Sequence, residues 1–383
     1  MRITLVIGSL LGGGAERTCV NLANAWVERG FTVSLLTISQ RGRSSAYSID
    51  SRVRRFDVGK PRAARPAELN HDAIAPIIRG LQRSGCMTLV REISLIAMLR
   101  HAILATEPDV VVSIIDLTNL RVLAAMQGTG VPVVACEQTD AARLSLGRYQ
   151  KARGALYRQA HAVVVPHPAI AEWIRRQNAP AIAIPNPLVA PRASTSHKNG
   201  GYYRLVTLSR LSHEKRLMLL IRTFATMAAE FPRWSLEIHG DGPLRSYLAH
   251  RISQLAPDRI FLKPFVDAPY TILQGADLFV STSWIEGFGN AIWEALACGV
   301  PVVAMDAGAS VRSLVRDQVD GLIVYEDRGS ALLRALASLM RDDVARKAMA
   351  ERAPEVVKRF SMESALQKWD ALLKTASAAN EKR

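Results

Sequence analysis

Residues 277–304 read DLFVSTSWIEGFGNAIWEALACGVPVVA. The apolar run at 278–280 has the length and residue types of a buried strand, and the loop after it carries Glu286, Gly287, Phe288 and Gly289. From Asn290 apolar residues recur at helical spacing until Gly299, and Pro301 then introduces a second β-branched run. Strand, helix and strand in one short stretch make a parallel crossover unit. Because neither strand alternates apolar with polar residues, the sheet they enter is expected to be covered by helices on both faces.

Working outward, the same unit recurs. ITLVIGS (3–9), a glycine loop and a helix from Glu16 to Arg29 closed by Gly30 lead into TVSLLT (32–37). VVVSII (110–115), VPVVAC (131–136), AVVVP (162–166) and AIAIP (181–185) continue the series. The stretch 185–201, PNPLVAPRASTSHKNGG, keeps no apolar period and reads as a linker. After it RLVTLS (204–209), SLEIHG (235–240), IFLKPF (260–265), PVVAM (301–305) and GLIV (321–324) are again strands. The expectation is an α/β protein with two Rossmann-like domains, 1–188 and 189–360. In the remainder, 361–383, Met362, Leu366, Trp369 and Leu373 share one face of a terminal helix. A length of 383 residues also exceeds what one compact core usually holds.

In open α/β sheets ligands lie outside the carboxyl ends of the strands. At those ends stand Gly12, Gly13 and Gly14 after the first strand, Asp116 and Asn119 after VVVSII, and Glu137 and Gln138 after VPVVAC. In the second half they are Arg210, then Gly240, Asp241 and Gly242, then Glu286. Glu107 and Asp109 sit at the amino end of their strand, on the wrong edge, and read as solubilising.

Within SRLSHEKR (209–216) Arg210 and Lys215 offer two fixed cations that suit a diphosphate and would stabilise charge growing on a departing nucleoside diphosphate. Glu286 and Glu294, eight residues apart, can address one cavity as acceptors for sugar and ribose hydroxyls. The amides of Phe288, Gly289 and Asn290 open a helix towards a phosphate, and the loop SLLGGGAER (9–17) presents those of Gly14 and Ala15 in the same way, although it lacks the G-x-G-x-x-G spacing. The plain alternatives are that Arg210 and Lys215 pair with Glu214 and Asp241, and that Glu294 lies salt-bridged on a helix surface. No D-x-D pair is present to hold a metal on phosphates.

The net charge is +15, and residues 1–188 hold 23 Lys or Arg against 13 Asp or Glu. Arginines and lysines crowd residues 41–65, and further basic residues between Arg79 and Arg100 lie among Leu, Ile and Met. This pattern suits anionic lipid headgroups. Nucleic acid fits less well, since aromatics are not interleaved and no nucleic-acid motif occurs; a merely solvated basic face is the bland alternative. The four cysteines show no zinc spacing, which points to a reducing compartment. No apolar run approaches the roughly 18–20 residues that span a bilayer, and the amino terminus reads as a strand rather than a signal peptide.

Taken in order, GGGAER, SRLSHEK, GDGPLR and EGFGNAIWEALACGVPVVA resemble glycosyltransferase family 4 over nearly the whole chain. The resemblance implies a GT-B fold of two facing Rossmann-like domains, with the terminal helix crossing back to the first, and sugar transfer from a nucleotide donor with retention. It implies that Arg210 and Lys215 bind the diphosphate, Glu286 the transferred sugar and Glu294 the ribose. No cofactor or metal is implied beyond the nucleotide-sugar, a UDP-sugar before a GDP-sugar. VVVSIIDLTN with ACEQTD is similar to bacterial enzymes that extend lipid-linked oligosaccharides, which implies a polyprenyl-diphosphate-linked acceptor and a peripheral place on the cytoplasmic face of the inner membrane. Asp116, Asn119, Glu137 and Gln138 would then face the acceptor. Three positions depart from the family pattern: Gln138 where His is common, Lys263 where Gly is common, and Ser313 where Glu is usual. A nucleotide-sugar epimerase and a non-catalytic nucleotide-sugar-binding protein are the rival readings.

Overall fold

The computed structural model describes all residues except 41–42, 60–70, 84–88, 90–91, 192–200 and 382–383. Arg41, Lys60, Arg62, Arg65 and Arg91 of the basic stretches, and most of the linker, therefore lie outside the described residues. The chain divides into two compact units, Met1–Pro187 with Met362–Arg383, and Leu188–Ser361.

The first unit holds a seven-stranded sheet of β1 (Arg2–Ile7), β2 (Thr32–Thr37), β3 (Arg54–Asp57), β4 (Val110–Ile114), β5 (Val133–Cys136), β6 (Ala162–Val165) and β7 (Ala181–Ala183). Their order is β3-β2-β1-β4-β5-β6-β7, and every pairing is parallel. β4 and β5 are buried along their full length, as their unbroken apolar runs require. β3 was not foreseen. All four of its residues are exposed, so it has no apolar face to read, and Arg54 and Arg55 charge the sheet's edge against further pairing. At the amino edge Arg2 bridges to Glu107 (2.7 Å) and Asp109 (3.4 Å), so those acids fasten β1 to the turn before β4.

The terminal helix Met362–Glu381 belongs to this unit. Its Leu366, Trp369 and Leu373 are buried in the same core as Trp26, Val20 and Leu22 of the helix Gly14–Glu28. Trp26 and Trp369 meet edge to face with ring centroids 5.5 Å apart. Arg29 reaches both Asp370 and Glu363 of the terminal helix.

The second unit holds six parallel strands, β8 (Tyr203–Leu208), β9 (Trp234–His239), β10 (Ile260–Lys263), β11 (Leu278–Ser281), β12 (Val302–Met305) and β13 (Gly321–Val324), in the order β10-β9-β8-β11-β12-β13. One face is packed by the helices Leu217–Met227 and Gly329–Arg341, the other by Asn290–Ala297 and Ala309–Leu314. In both units the strand order reverses direction once, between β1 and β4 and between β8 and β11. Such a switch point splays the loops on either side apart and leaves a crevice for a ligand.

Candidate active site

At the β8/β11 switch point the two flanking loops are stitched together. Thr282 Oγ1 donates to the Lys215 carbonyl (2.7 Å), and the Trp284 amide donates to the Glu214 carbonyl (3.1 Å). Across this seam Lys215 Nζ meets Glu286 Oε1 at 2.6 Å, with the side chains 20% and 17% exposed. A charge-assisted bond this short and this sheltered fixes both groups while leaving them reachable. Glu214 is taken by Ser212 Oγ (2.5 Å) and Asp241 Oδ1 by its neighbour's amide, Gly242 N (2.8 Å), and Lys215 forms its ion pair with Glu286 rather than with either of them. Arg210 is exposed in the same loop, and its charge is among those that hold the Glu214 carboxyl below its ordinary range against the opposing pull of burial.

The glycines of GDGPLR are explained by contact. A Cβ on Gly240 would lie 1.9 Å from the Ser209 carbonyl oxygen, and one on Gly242 would lie 2.6 Å from that of Leu211. Their absence lets the loop after β9 lie directly on the loop after β8, where Leu211 N donates to Asp241 O (2.8 Å) and Leu244 N to Leu211 O (3.0 Å). Gly289 takes a left-handed conformation (φ 95°) to open the helix Asn290–Ala297, and Ser310 Oγ donates to the Gly287 carbonyl. Phe288 is buried against Phe360, so only its backbone is available to a ligand.

Glu294 is 4% exposed, inside the unit rather than on a helix surface. Burial first, and then the charge of Glu294, push the Cys298 thiol up to about 12. Of the departures from the family pattern, Lys263 lays its ammonium over the Phe261 ring (5.2 Å) and Ser313 Oγ turns back to the Ser310 carbonyl (2.7 Å). Sequence reading missed a half-buried ion pair below the site, Arg204 with Glu237, whose second oxygen also meets His239 Nε2 at 2.9 Å. Although burial opposes it, hydrogen bonds from His239 and Arg204 hold the Glu237 carboxyl at about 2.

The first unit treats its strand ends differently. Gly12 and Gly13 have φ of 121° and 152°, and Gly13 exchanges hydrogen bonds with Tyr47 Oη through its amide (3.0 Å) and its carbonyl (2.9 Å). Gly14 stands exposed at the start of the helix Gly14–Glu28. Ile115, a β-branched residue, is held at φ 78° at the end of β4 just before Asp116, a strained position of a kind that collects at functional sites. Asp116 is partly exposed and accepts from Leu117 N (2.6 Å).

Glu137 and Asn119 do not face solvent. Both are fully buried: Glu137 accepts from Tyr157 Oη (2.7 Å) and Thr139 Oγ1 (2.7 Å), and Asn119 Nδ2 donates to the Cys136 carbonyl (3.1 Å) and to Tyr157 Oη (3.3 Å). With these contacts they brace the strand ends. Burial, and next the charge of Asp116, raise the Glu137 carboxyl. Gln138, partly exposed, is bound to Asn186 Nδ2 (3.0 Å) and Cys136 Sγ (3.1 Å). Among the described residues no three His, Cys, Asp or Glu side chains converge as a metal site, and no helix is long and apolar enough to cross a membrane.

The glycosyl transferase 4-like domain matches residues 13–187, and the glycosyl transferases group 1 domain matches residues 193–356. An undecaprenol-linked GalNAc-extending α-1,4-N-acetyl-D-galactosaminyltransferase of Campylobacter jejuni is 24% identical over 97% of this chain and 98% of its own length. A poly(glycerol-phosphate) α-glucosyltransferase of Bacillus subtilis is 32% identical over 44% of this chain, which spans about a quarter of that relative's length. The crystal structure of S. aureus TarM with UDP shares the fold at a TM-score of 0.78 and 14% identity, over 97% of this chain and 99% of that one. Together these matches, one domain model on each unit and a relative along nearly the whole chain, show that the chain belongs to the two-domain glycosyltransferases with a 4-like first domain and a group 1 second domain.

Proposed function

We propose that this chain moves a hexose or N-acetylhexosamine from a UDP-sugar to a hydroxyl of a glycan acceptor, with retention at the anomeric carbon, in the synthesis of a cell-surface or lipid-linked glycan. The observation that carries the reading is the Lys215–Glu286 pair at the β8/β11 switch point. Lys215 has three N–H donors, so one can stay on Glu286 while another meets a phosphate oxygen. Glu286, fixed from one side, keeps its second oxygen for a sugar hydroxyl. Glu294, in the helix Asn290–Ala297 that follows this loop, would take the ribose, and the backbone of Gly287, Phe288, Gly289 and Asn290 the phosphate.

In the proposed reaction the acceptor oxygen forms a bond to the anomeric carbon on the face from which the diphosphate departs. The bond from that carbon to the phosphate oxygen breaks, its electrons leave with the nucleoside diphosphate, and a donor phosphate oxygen takes the acceptor's proton. Arg210 and Lys215 stabilise the leaving charge in place of a divalent metal. Two named relatives make α-linked products, and one of them builds on an undecaprenol diphosphate, which supports this reading over isomerisation or binding alone. The basic first unit would face an anionic membrane on its cytoplasmic side, with Arg54, Arg55 and Arg79 exposed. Arg100 takes no part in that surface, because its guanidinium closes the helix Asp116–Ala125 through Ala125 O (2.7 Å) and Gln127 O (2.8 Å).

The test is to incubate the chain with UDP-sugars and a lipid-linked glycan and to analyse the products. A new α-glycoside from the native chain, lost in Glu286→Ala with the fold intact by circular dichroism, supports the proposal. An isomerised donor, an unchanged donor with every acceptor, or near-normal turnover by Glu286→Ala sinks it.

A further inference from the structure

The first unit contains a cavity of about 380 Å³ at its own switch point, lined by Gly8 and Ser9 after β1, Ile38 and Ser39 after β2, Arg43, and Arg121 from the helix after β4. None of its lining residues is acidic. Its rim is fixed by a buried amide: Gln40, 5% exposed, accepts from Leu10 N (2.8 Å) and donates to the carbonyls of Arg43 (2.9 Å) and Ser44 (3.1 Å). One side chain thus ties the loop after β1 to the loop after β2. Arg121 is held through Nε by Glu92 Oε2 (2.6 Å), whose other oxygen accepts from Tyr149 Oη (2.6 Å). That arrangement leaves the terminal nitrogens of Arg121, and the whole guanidinium of Arg43, without a bonded partner among the described residues.

A pocket of this size, with the Arg43 guanidinium, the terminal nitrogens of an Arg121 already paired to Glu92, serine hydroxyls and no lining carboxylate, fits an anion larger than chloride. The donor's diphosphate already has its cations, Arg210 and Lys215, in the other unit. We infer that the Gly8–Ser39–Arg43–Arg121 cavity is the subsite for a phosphate or diphosphate group carried by the acceptor. The inference rests on the transfer reaction proposed above and adds to it: a neutral glycan would leave the two arginines without their ligand. The same chemistry is offered by a glycan on a polyprenyl diphosphate and by a polyol-phosphate polymer.

Two measurements on the full chain test it. In the Arg210→Ala/Lys215→Ala double variant the donor grip is gone, and calorimetry with inorganic pyrophosphate should still detect one site. Adding Arg43→Ala, an exposed position, or Arg121→Gln should weaken that binding by about tenfold or more, as expected for loss of a charged hydrogen bond. Absence of binding in the double variant, or affinity unchanged by both added substitutions, overturns the inference. In transfer assays the chain and its Arg43→Ala variant are compared on a polyprenyl-diphosphate-linked glycan, a glycerol-phosphate oligomer and a neutral alkyl glycoside. KM should rise about tenfold for whichever phosphate-bearing acceptor is used, identifying the source, with kcat little altered and no change for the neutral one. An equal rise for all three acceptors overturns the inference. If no acceptor is glycosylated, the reaction proposed above fails while the pyrophosphate result stands; if pyrophosphate binding fails, that reaction stands without this subsite.

Discussion

The two units share a topology and use its strand ends in opposite ways. In Leu188–Ser361 the carboxylate beside the switch point, Glu286, is partly open and paired with a cation from the facing loop. In the first unit Glu137 is sealed under Tyr157 and Thr139, and its charge is opposed by burial. The difference teaches that position on a Rossmann-like sheet nominates a residue for function, while the side chains packed around it decide whether it meets a ligand or stiffens the floor. The first unit instead turns arginines towards its crevice.

The contrast breaks most visibly at Lys215. Lys215→Ala should lower kcat about 10²- to 10³-fold, the usual cost of removing one preorganised donor to a developing oxyanion, with far-UV circular dichroism unchanged. If turnover survives, the charged pair is structural and the two units are alike. Next in size is Gly240→Ala, whose methyl meets the Ser209 carbonyl; prying the two loops apart should weaken UDP binding about tenfold and cost about 1–3 kcal/mol of stability, read by calorimetry and denaturant unfolding.

Glu137→Gln and Glu237→Gln give a smaller and opposite pair of effects. Native Glu137 keeps its proton to a higher pH than the unfolded chain does, so wild-type stability falls as pH rises through and above the ordinary carboxylate range. The melting temperature of Glu137→Gln relative to wild type should therefore climb as pH rises above about 4, where the ordinary Glu pKa near 4.3 sets the start of the window. Glu237 titrates at about 2, so its contribution is complete above the ordinary range and is lost as pH falls towards 2. The deficit of Glu237→Gln should shrink in acid. Curves of the same sign for both variants would erase the distinction between a sealed and a paired carboxylate. Smallest of all, excess EDTA should change kcat/KM by less than about twofold if the two cations take the place of a metal; a larger loss would assign part of the diphosphate grip to a divalent ion.

Much of the fold was legible because buried parallel strands announce themselves as unbroken apolar runs, and the loops after them could be placed from the strands alone. The Lys215–Glu286 meeting was not legible, although both residues could be placed after strands, because only the strand order shows that those strands adjoin at a switch point. β3 was not, because an exposed four-residue edge strand of Arg, Arg, Phe and Asp has no pattern to find. The burial of Glu137 was hidden for a different reason. It depends on Tyr157 and Asn119, which are brought over it by two separate helices, and no local spacing records that. Arg100 likewise looked like surface charge until the helix end that it closes was in place.

The terminal helix has a consequence for the order in which the molecule can be made. Trp369, Leu373 and Ala376 complete a core that begins with Ile3 and Leu5, and all of Leu188–Ser361 lies between them in the chain. A nascent chain growing from its amino terminus must therefore hold Trp26 and its neighbours uncovered until the helix Met362–Glu381 has left the ribosome. The second unit can close its own core earlier, so the part synthesised first is the part finished last.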